Sequence, residues 1–384
     1  MTEALDQFLA RLMRCFVRGE PLPPWRDDLG VTPKAAAERI LFHGIALQLV
    51  EGDPQLSGWP TALADTISEQ ARLQTFWEMS HRDLLGQLIE KLHSAGAQPL
   101  LIKGSALAYS LYEKPALRRR SDSDLLVKGL PKRRARGVLA SLGFTRQGDV
   151  VPMQEAWEQP TSYGFTHEVD VHWGWKSSPV VSACLDTILP AAQPCELPAI
   201  SPHARGAGHL DNLVLVSINR ASHEAFGYIN DTASIYENNR LIWAIDLDTI
   251  SRALSPQDWE RLPALAEHAG CARLVADAFR FAEAALETHI PRGVLDKLVE
   301  AGATGPERIS AYYAGLSTKE RVKRDFAASK GLLAKFETLS CHLFPGAAVL
   351  HRRYPDATHW PLTALRLRRL ASSAGRVLTG KALA

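Results

Sequence analysis

The sequence predicts an α+β fold: a small mixed β-sheet with helices on one side, set between helical regions that precede and follow it. Three observations predict it. Residues 98 to 177 alternate short apolar runs with turn residues, first as strand and helix in turn, then as strand after strand. Residues 1 to 97 and 209 to 384 instead carry apolar residues at helical spacing, punctuated by proline and glycine. The chain has 384 residues, 46% hydrophobic and 22% charged, which is the composition of a globular protein with a large core.

The opening segment MTEALDQFLARLMRCF is amphipathic and lacks the uninterrupted apolar stretch of a signal peptide. No later run reaches the ~18 apolar residues of a membrane span. The five cysteines, Cys15, Cys184, Cys195, Cys271 and Cys341, are scattered and form no C-x-x-C pair. That pattern predicts reduced thiols and a cytoplasmic protein. Within residues 1 to 97 the longest predicted helix is Thr61 to Ala95, with Leu63, Ile67, Leu73, Phe76, Leu84, Leu88 and Leu92 near one stripe. It is expected to pack on the sheet that starts at Gln98.

Leu100 to Ile102 has the length of a buried strand. Lys103-Gly104-Ser105 turns it into a helix over Ala106 to Tyr112. A second strand runs from Asp124 through Val127, with Asp122 and Asp124 at its start. Pro131 opens a basic helix to Leu142, and Gly143 to Gln147 reads as a strand. Val150 to Trp175 reads as an antiparallel pair joined through Gln159 to Tyr163, with Asp170 late in its second strand. Residues 178 to 208, rich in Pro, Ala and Gly, read as a linker with short elements. Helices follow over Asp211 to Phe226, Arg240 to Leu254, Pro256 to Gly270, Cys271 to Glu287 and Val322 to Leu339, with a tail helix over Pro361 to Leu378.

The chemistry lies in the carboxylates. Side chains two apart on a strand face the same way, so Asp122 and Asp124 point together, as do Glu168, Asp170 and His172. Two unit charges about 4 Å apart repel by roughly 4 kcal/mol at an effective dielectric of about 20. A divalent cation reverses that sign, and Mg2+ suits a carboxylate site that keeps positions for phosphate oxygens. Gly104 allows close approach, and Ser105 at a helix start offers a hydroxyl and free N–H groups to a phosphate. Together these describe a nucleoside triphosphate site.

The order Lys103-Gly104-Ser105, Tyr112, Arg118, Asp122-x-Asp124-Leu-Leu-Val, Leu142-Gly143-Phe144 and Val169-Asp170-Val171-His172-Trp173 resembles the uncharacterised nucleotidyltransferase family of the DNA polymerase beta superfamily. The resemblance implies a nucleotidyltransferase-fold core at residues 98–177 and transfer of a nucleoside monophosphate from a triphosphate donor to an acceptor hydroxyl. It implies that Gly104 and Ser105 hold the triphosphate, and that Asp122, Asp124 and Asp170 hold two Mg2+ ions and carry the catalysis. Arg118 matches an arginine that would neutralise phosphate charge, and Asp246 an aspartate near the start of a tryptophan-bearing helix. The acceptor it leaves open among small molecules, peptides and tRNA. The chain departs from the family pattern in a longer gap between Ser105 and Asp122, and in Gly227 to Asn239, which looks like an insertion.

Other readings are set against these. Lys103 either binds the triphosphate or caps the sheet end in water. The run Arg118 to Arg120 reads as an exposed loop, Arg118 excepted. His172 either orients Asp170 or contacts substrate, Glu168 reads as exposed, and Asp246 serves equally as a hydrogen-bond partner at a helix terminus. The basic clusters Lys132 to Arg136, His351 to Arg353 and Arg366 to Arg369 read as solvated helix faces, because the net charge is only +2 and interleaved aromatics are lacking. A glycosyltransferase also uses D-x-D, but there the apolar strand precedes the motif, whereas here it follows. A nucleotide-binding protein without turnover is the non-enzymatic alternative.

Overall fold

The computed structural model of the protein describes residues 2–190, 192–230, 233–235, 237, 239–344, 350–351 and 354–378. In chain order its helices and strands are α1 (Thr2–Arg18), α2 (Pro33–His43), α3 (Ala46–Gly52), α4 (Thr61–Ser94), β1 (Gln98–Ile102), α5 (Lys103–Ser110), β2 (Asp122–Lys128), α6 (Lys132–Ser141), β3 (Thr145–Val151), β4 (Gln154–Pro160), β5 (Thr166–His172), α7 (Pro179–Asp186), β6 (Cys195–Glu196), β7 (Arg205–Gly206) and α8 (His209–Phe226). The rest are β8 (Tyr228–Asn230), β9 (Ala233–Ile235), α9 (Leu241–Ala253), α10 (Pro256–Ala269), α11 (Ala272–Leu286), α12 (Val294–Thr304), α13 (Arg308–Ala314), α14 (Thr318–Ala328), α15 (Leu332–Leu343) and α16 (Leu362–Leu378). This is the predicted α+β class, with helical regions on both sides of a mixed sheet.

The sheet runs in the order β3-β4-β5-β2-β1-β7-β6. β2 pairs antiparallel with β1 and parallel with β5, and β4 joins β5 antiparallel. The short strands of residues 178–208 extend it, β7 lying parallel to β1 through Leu101 and Gly206. Side-chain alternation then sorts the sheet's two faces. Leu101, Leu125, Val127, Val169 and Val171 pack against Leu85, Leu88 and Leu92 of α4 and Leu139 of α6. Ile102 and Leu126 point the other way, into a core with Trp175, Leu210, Leu213 and Val214. Helices therefore cover both faces rather than one, because β1 and β2 are apolar at odd and even positions alike.

α4 serves two cores. At 34 residues it is about 50 Å long. Leu63 and Ile67 pack with Leu9, Met13, Ile40 and Trp243, while its second half lies on the sheet. The predicted single stripe therefore fails in the middle: Leu73 and Phe76 are exposed, Phe76 resting edge-on against Tyr163 and Phe165. Helix starts follow their capping residues. Thr32 accepts from Ala35 N–H, Ser178 from Val181 N–H, and Ser255 forms a capping box with Asp258. The predicted helix Val322 to Leu339 is two helices, α14 and α15, broken where Gly331 takes a left-handed φ of 86°. Gly227 to Asn239 carries the β8–β9 hairpin; Asp231, Thr232, Tyr236 and Asn238 lie outside the described residues, as do Arg352 and Arg353 of the second basic cluster. No helix among the described residues is long and apolar enough to cross a membrane.

Candidate functional site

The parallel register of β2 and β5 sets Asp124 beside Asp170 and Asp122 beside Glu168, one rung apart. Four carboxylates therefore share one wall of a cleft of about 430 Å3. Ligand atoms of Asp124, Asp170 and His172 all lie within 4.8 Å of one another. Two carboxylate oxygens and an imidazole nitrogen at that spacing fit a divalent cation. Asp122 is outside that triad but lines the same cleft.

Asp124 is the best-held of the four. Its Oδ1 accepts from Lys103 Nζ at 2.5 Å and from His172 Nε2 at 2.8 Å. Burial works against its charge, but Lys103 and His172 win and keep the carboxyl well below the usual carboxylate range. Asp170 accepts no hydrogen bond from Lys103 or His172, accepting instead from Gln154 Nε2 at 2.5 Å. Burial, then Asp122 and Asp124, drive its carboxyl well above the usual range. Burial and Asp124 raise Asp122, and partial desolvation at the cleft wall, then Asp122 and Glu158, push Glu168 up to about 7. Burial lowers His172 to about 4, so the ring is neutral near pH 7 and donates to Asp124 rather than orienting Asp170.

The turn after β1 is built around Lys103, whose φ is 56°. Burial disfavours its charge, yet Asp124, Asp170 and Asp122 hold the ammonium above its ordinary range. Gly104 follows, and a Cβ there would stand 3.1 Å from the Arg118 guanidinium. In the first turn of α5, Gly104 and Ser105 keep backbone N–H groups without intrahelical acceptors at the cleft wall. The Ser105 side chain, however, donates to Ser123 Oγ at 2.9 Å, and Ser123 meets His81 Nε2 at 2.6 Å. A hydrogen-bond line continues from His81 Nδ1 to His167 and on to Ser80. It runs behind β2, on the face opposite the carboxylates.

The run Arg118 to Arg120 is packed in, not an exposed loop. Arg118 Nε donates to Asp246 Oδ1 at 2.6 Å, and Tyr112 OH donates to the same oxygen at 2.7 Å. Arg120 pairs with Glu78 of α4 at 2.7 Å and lies against the Trp77 and Tyr109 rings. Asp246 is thus the anchor of Arg118 and does not reach the carboxylate cluster.

Part of the cleft lining was not foreseen. Lys176 is buried, forms no ion pair among the described residues and donates to Asn219 Oδ1 at 3.1 Å. Burial, then Lys103, lowers it to about 7. Arg240 donates to the Phe42 carbonyl at 2.6 Å, with its guanidinium over the Phe42 and Trp243 rings. The signal for Lys176 was its place on the strand exit shortly after Asp170. Asn219 and Phe42 come from helices that carry no local motif.

A family model described as uncharacterised nucleotidyltransferase matches residues 35–287, from α2 to the end of α11. No curated protein matches the chain. The matched stretch spans more than half of the chain and contains every residue of the cleft named above, and the chain belongs to this uncharacterised nucleotidyltransferase family.

Proposed function

We propose that the protein moves a nucleoside monophosphate from a nucleoside triphosphate to an acceptor hydroxyl and releases pyrophosphate, in a metal-dependent reaction. The observation that carries this reading is the β2–β5 register, which aligns Asp124 with Asp170 and Asp122 with Glu168 at one cleft wall. Asp124 and Asp170 would hold a divalent cation, with Asp122 next to it, and Mg2+ is the ion such oxygens suit. When bound, that ion neutralises charge on the reacting phosphoryl oxygens.

The chain's own groups do the rest. His172 fixes the Asp124 carboxylate by donating to it. Backbone N–H groups of Gly104 and Ser105 receive phosphate oxygens. Asp170 helps take the acceptor proton as the hydroxyl oxygen attacks the α-phosphorus in line. The bond from that phosphorus to the bridging oxygen breaks, and Lys176 faces the negative charge that collects on the leaving pyrophosphate.

The test supplies Mg2+ and each triphosphate, labelled at the α- or the γ-phosphorus, together with a small-molecule, a peptide or a tRNA fraction. Transfer of the α-label to one fraction, with the γ-label released as pyrophosphate, is expected. Transfer of the γ-label contradicts the reading, and so does the absence of any pyrophosphate release across all three fractions.

A further inference from the structure

Lys103 sits at the junction of β1 and α5 with a left-handed backbone, φ 56°, which glycine adopts freely and lysine does not. The strain is held from outside the turn. Lys103 N–H donates to Asn212 Oδ1 at 2.8 Å, and buried Asn212 in turn donates to the Ala207 carbonyl at 2.8 Å. The start of α8 and the end of β7 thereby fix a backbone the turn would not choose alone, which is how strain persists at functional positions. What the strain secures is aim. Nζ lies 2.5 Å from Asp124 Oδ1, with the side chain only 12% exposed. The ammonium is already committed to a carboxylate of the cluster, rather than extended toward the cleft mouth where a triphosphate would arrive.

Of the four carboxylates on this wall, Asp122, Asp124, Asp170 and Glu168, Lys103 neutralises the one it touches, Asp124, so that fewer charges are left for a divalent ion to offset. The ligand geometry agrees: among the described residues the triad Asp124, Asp170 and His172 forms one such group, and Asp122 stands outside it.

We propose, resting on the reading of these carboxylates as a metal site, that the Lys103 ammonium is a built-in second cation of the centre. The protein without nucleotide then takes one divalent ion, where the same carboxylates without Lys103 take two. The strained turn is the device that puts the charge on Asp124.

Mn2+ is the probe, titrated into the full chain without nucleotide, with free Mn2+ read by electron paramagnetic resonance. Wild type should saturate at one ion per chain. Lys103→Met and Lys103→Gly should each bind two, and glycine accepts the left-handed backbone, so that the second variant keeps the fold. Two ions on the wild type, or one on folded Lys103→Gly, overturns this inference while leaving the metal site standing. No ion on the wild type overturns both.

Discussion

Arg118 and Asp246 are 128 residues apart in the chain, yet Arg118 Nε lies 2.6 Å from Asp246 Oδ1 and both side chains are buried. The pair ties the loop before β2 to α9. Removing one partner leaves the other charge buried and unpaired. Asp246→Ala should therefore destabilise the protein by about 3–5 kcal/mol. Urea unfolding checks this, and Arg118→Met combined with Asp246→Leu should recover much of the loss. Equal stability of Asp246→Ala and wild type would show that the pair does not hold the loop to α9.

Lys176 is a buried cation whose hydrogen-bond partner among the described residues is the neutral amide of Asn219, so its charge is costly until an anion arrives. Lys176→Met should leave the free protein as stable as wild type or more so, while weakening triphosphate binding by roughly tenfold or more. Calorimetric titration and thermal unfolding measure the two sides. A variant that loses stability and keeps affinity would place Lys176 in the scaffold.

The same residue gives a pH signature. Its folded-state pKa is lowered to about 7 by burial, below the ordinary lysine value of 10.5. Between those values the unfolded chain binds more protons, so stability attributable to Lys176 rises with pH. The penalty is full below about pH 7 and is relieved toward pH 10. The stability advantage of Lys176→Met over wild type should shrink across that window, and a constant difference would contradict the assigned environment.

Ser105 separates hydroxyl from backbone. Its Oγ–H donates to Ser123, behind the carboxylate face. Ser105→Ala should cost about 1 kcal/mol of stability and leave nucleotide affinity within about threefold, because the N–H at the helix start survives. A hundredfold loss of affinity would mean that the hydroxyl turns into the cleft when nucleotide binds.

The carboxylate wall was legible because strand alternation is local: Asp122, Asp124 and Asp170 needed only a period of two and two adjacent strands. The arginine run was not. Charge runs are ordinarily solvated, and the partners that bury Arg118 and Arg120 come from Asp246 and Glu78, on helices with no sequence relation to the run. Leu73 and Phe76 fit an apolar stripe but stand exposed, since α4 passes from one core to another at that point. Lys176, Asn219 and Arg240 meet only through tertiary packing. His172 was placed on the right face, but its partner is Asp124 on the neighbouring strand, one rung back in register.

The central claim, a metal-dependent triphosphate site on the β2–β5 wall, is tested most directly by thermal unfolding of wild type and Asp124→Asn. Each is heated with Mg2+ and, in turn, ATP, GTP, CTP and UTP. Ligand at about a hundred times its dissociation constant stabilises a folded protein by roughly 2.7 kcal/mol. The account predicts a Mg2+-dependent rise in Tm with at least one triphosphate, lost in Asp124→Asn. A wild type that no triphosphate stabilises, or a variant that keeps the full shift, would contradict it.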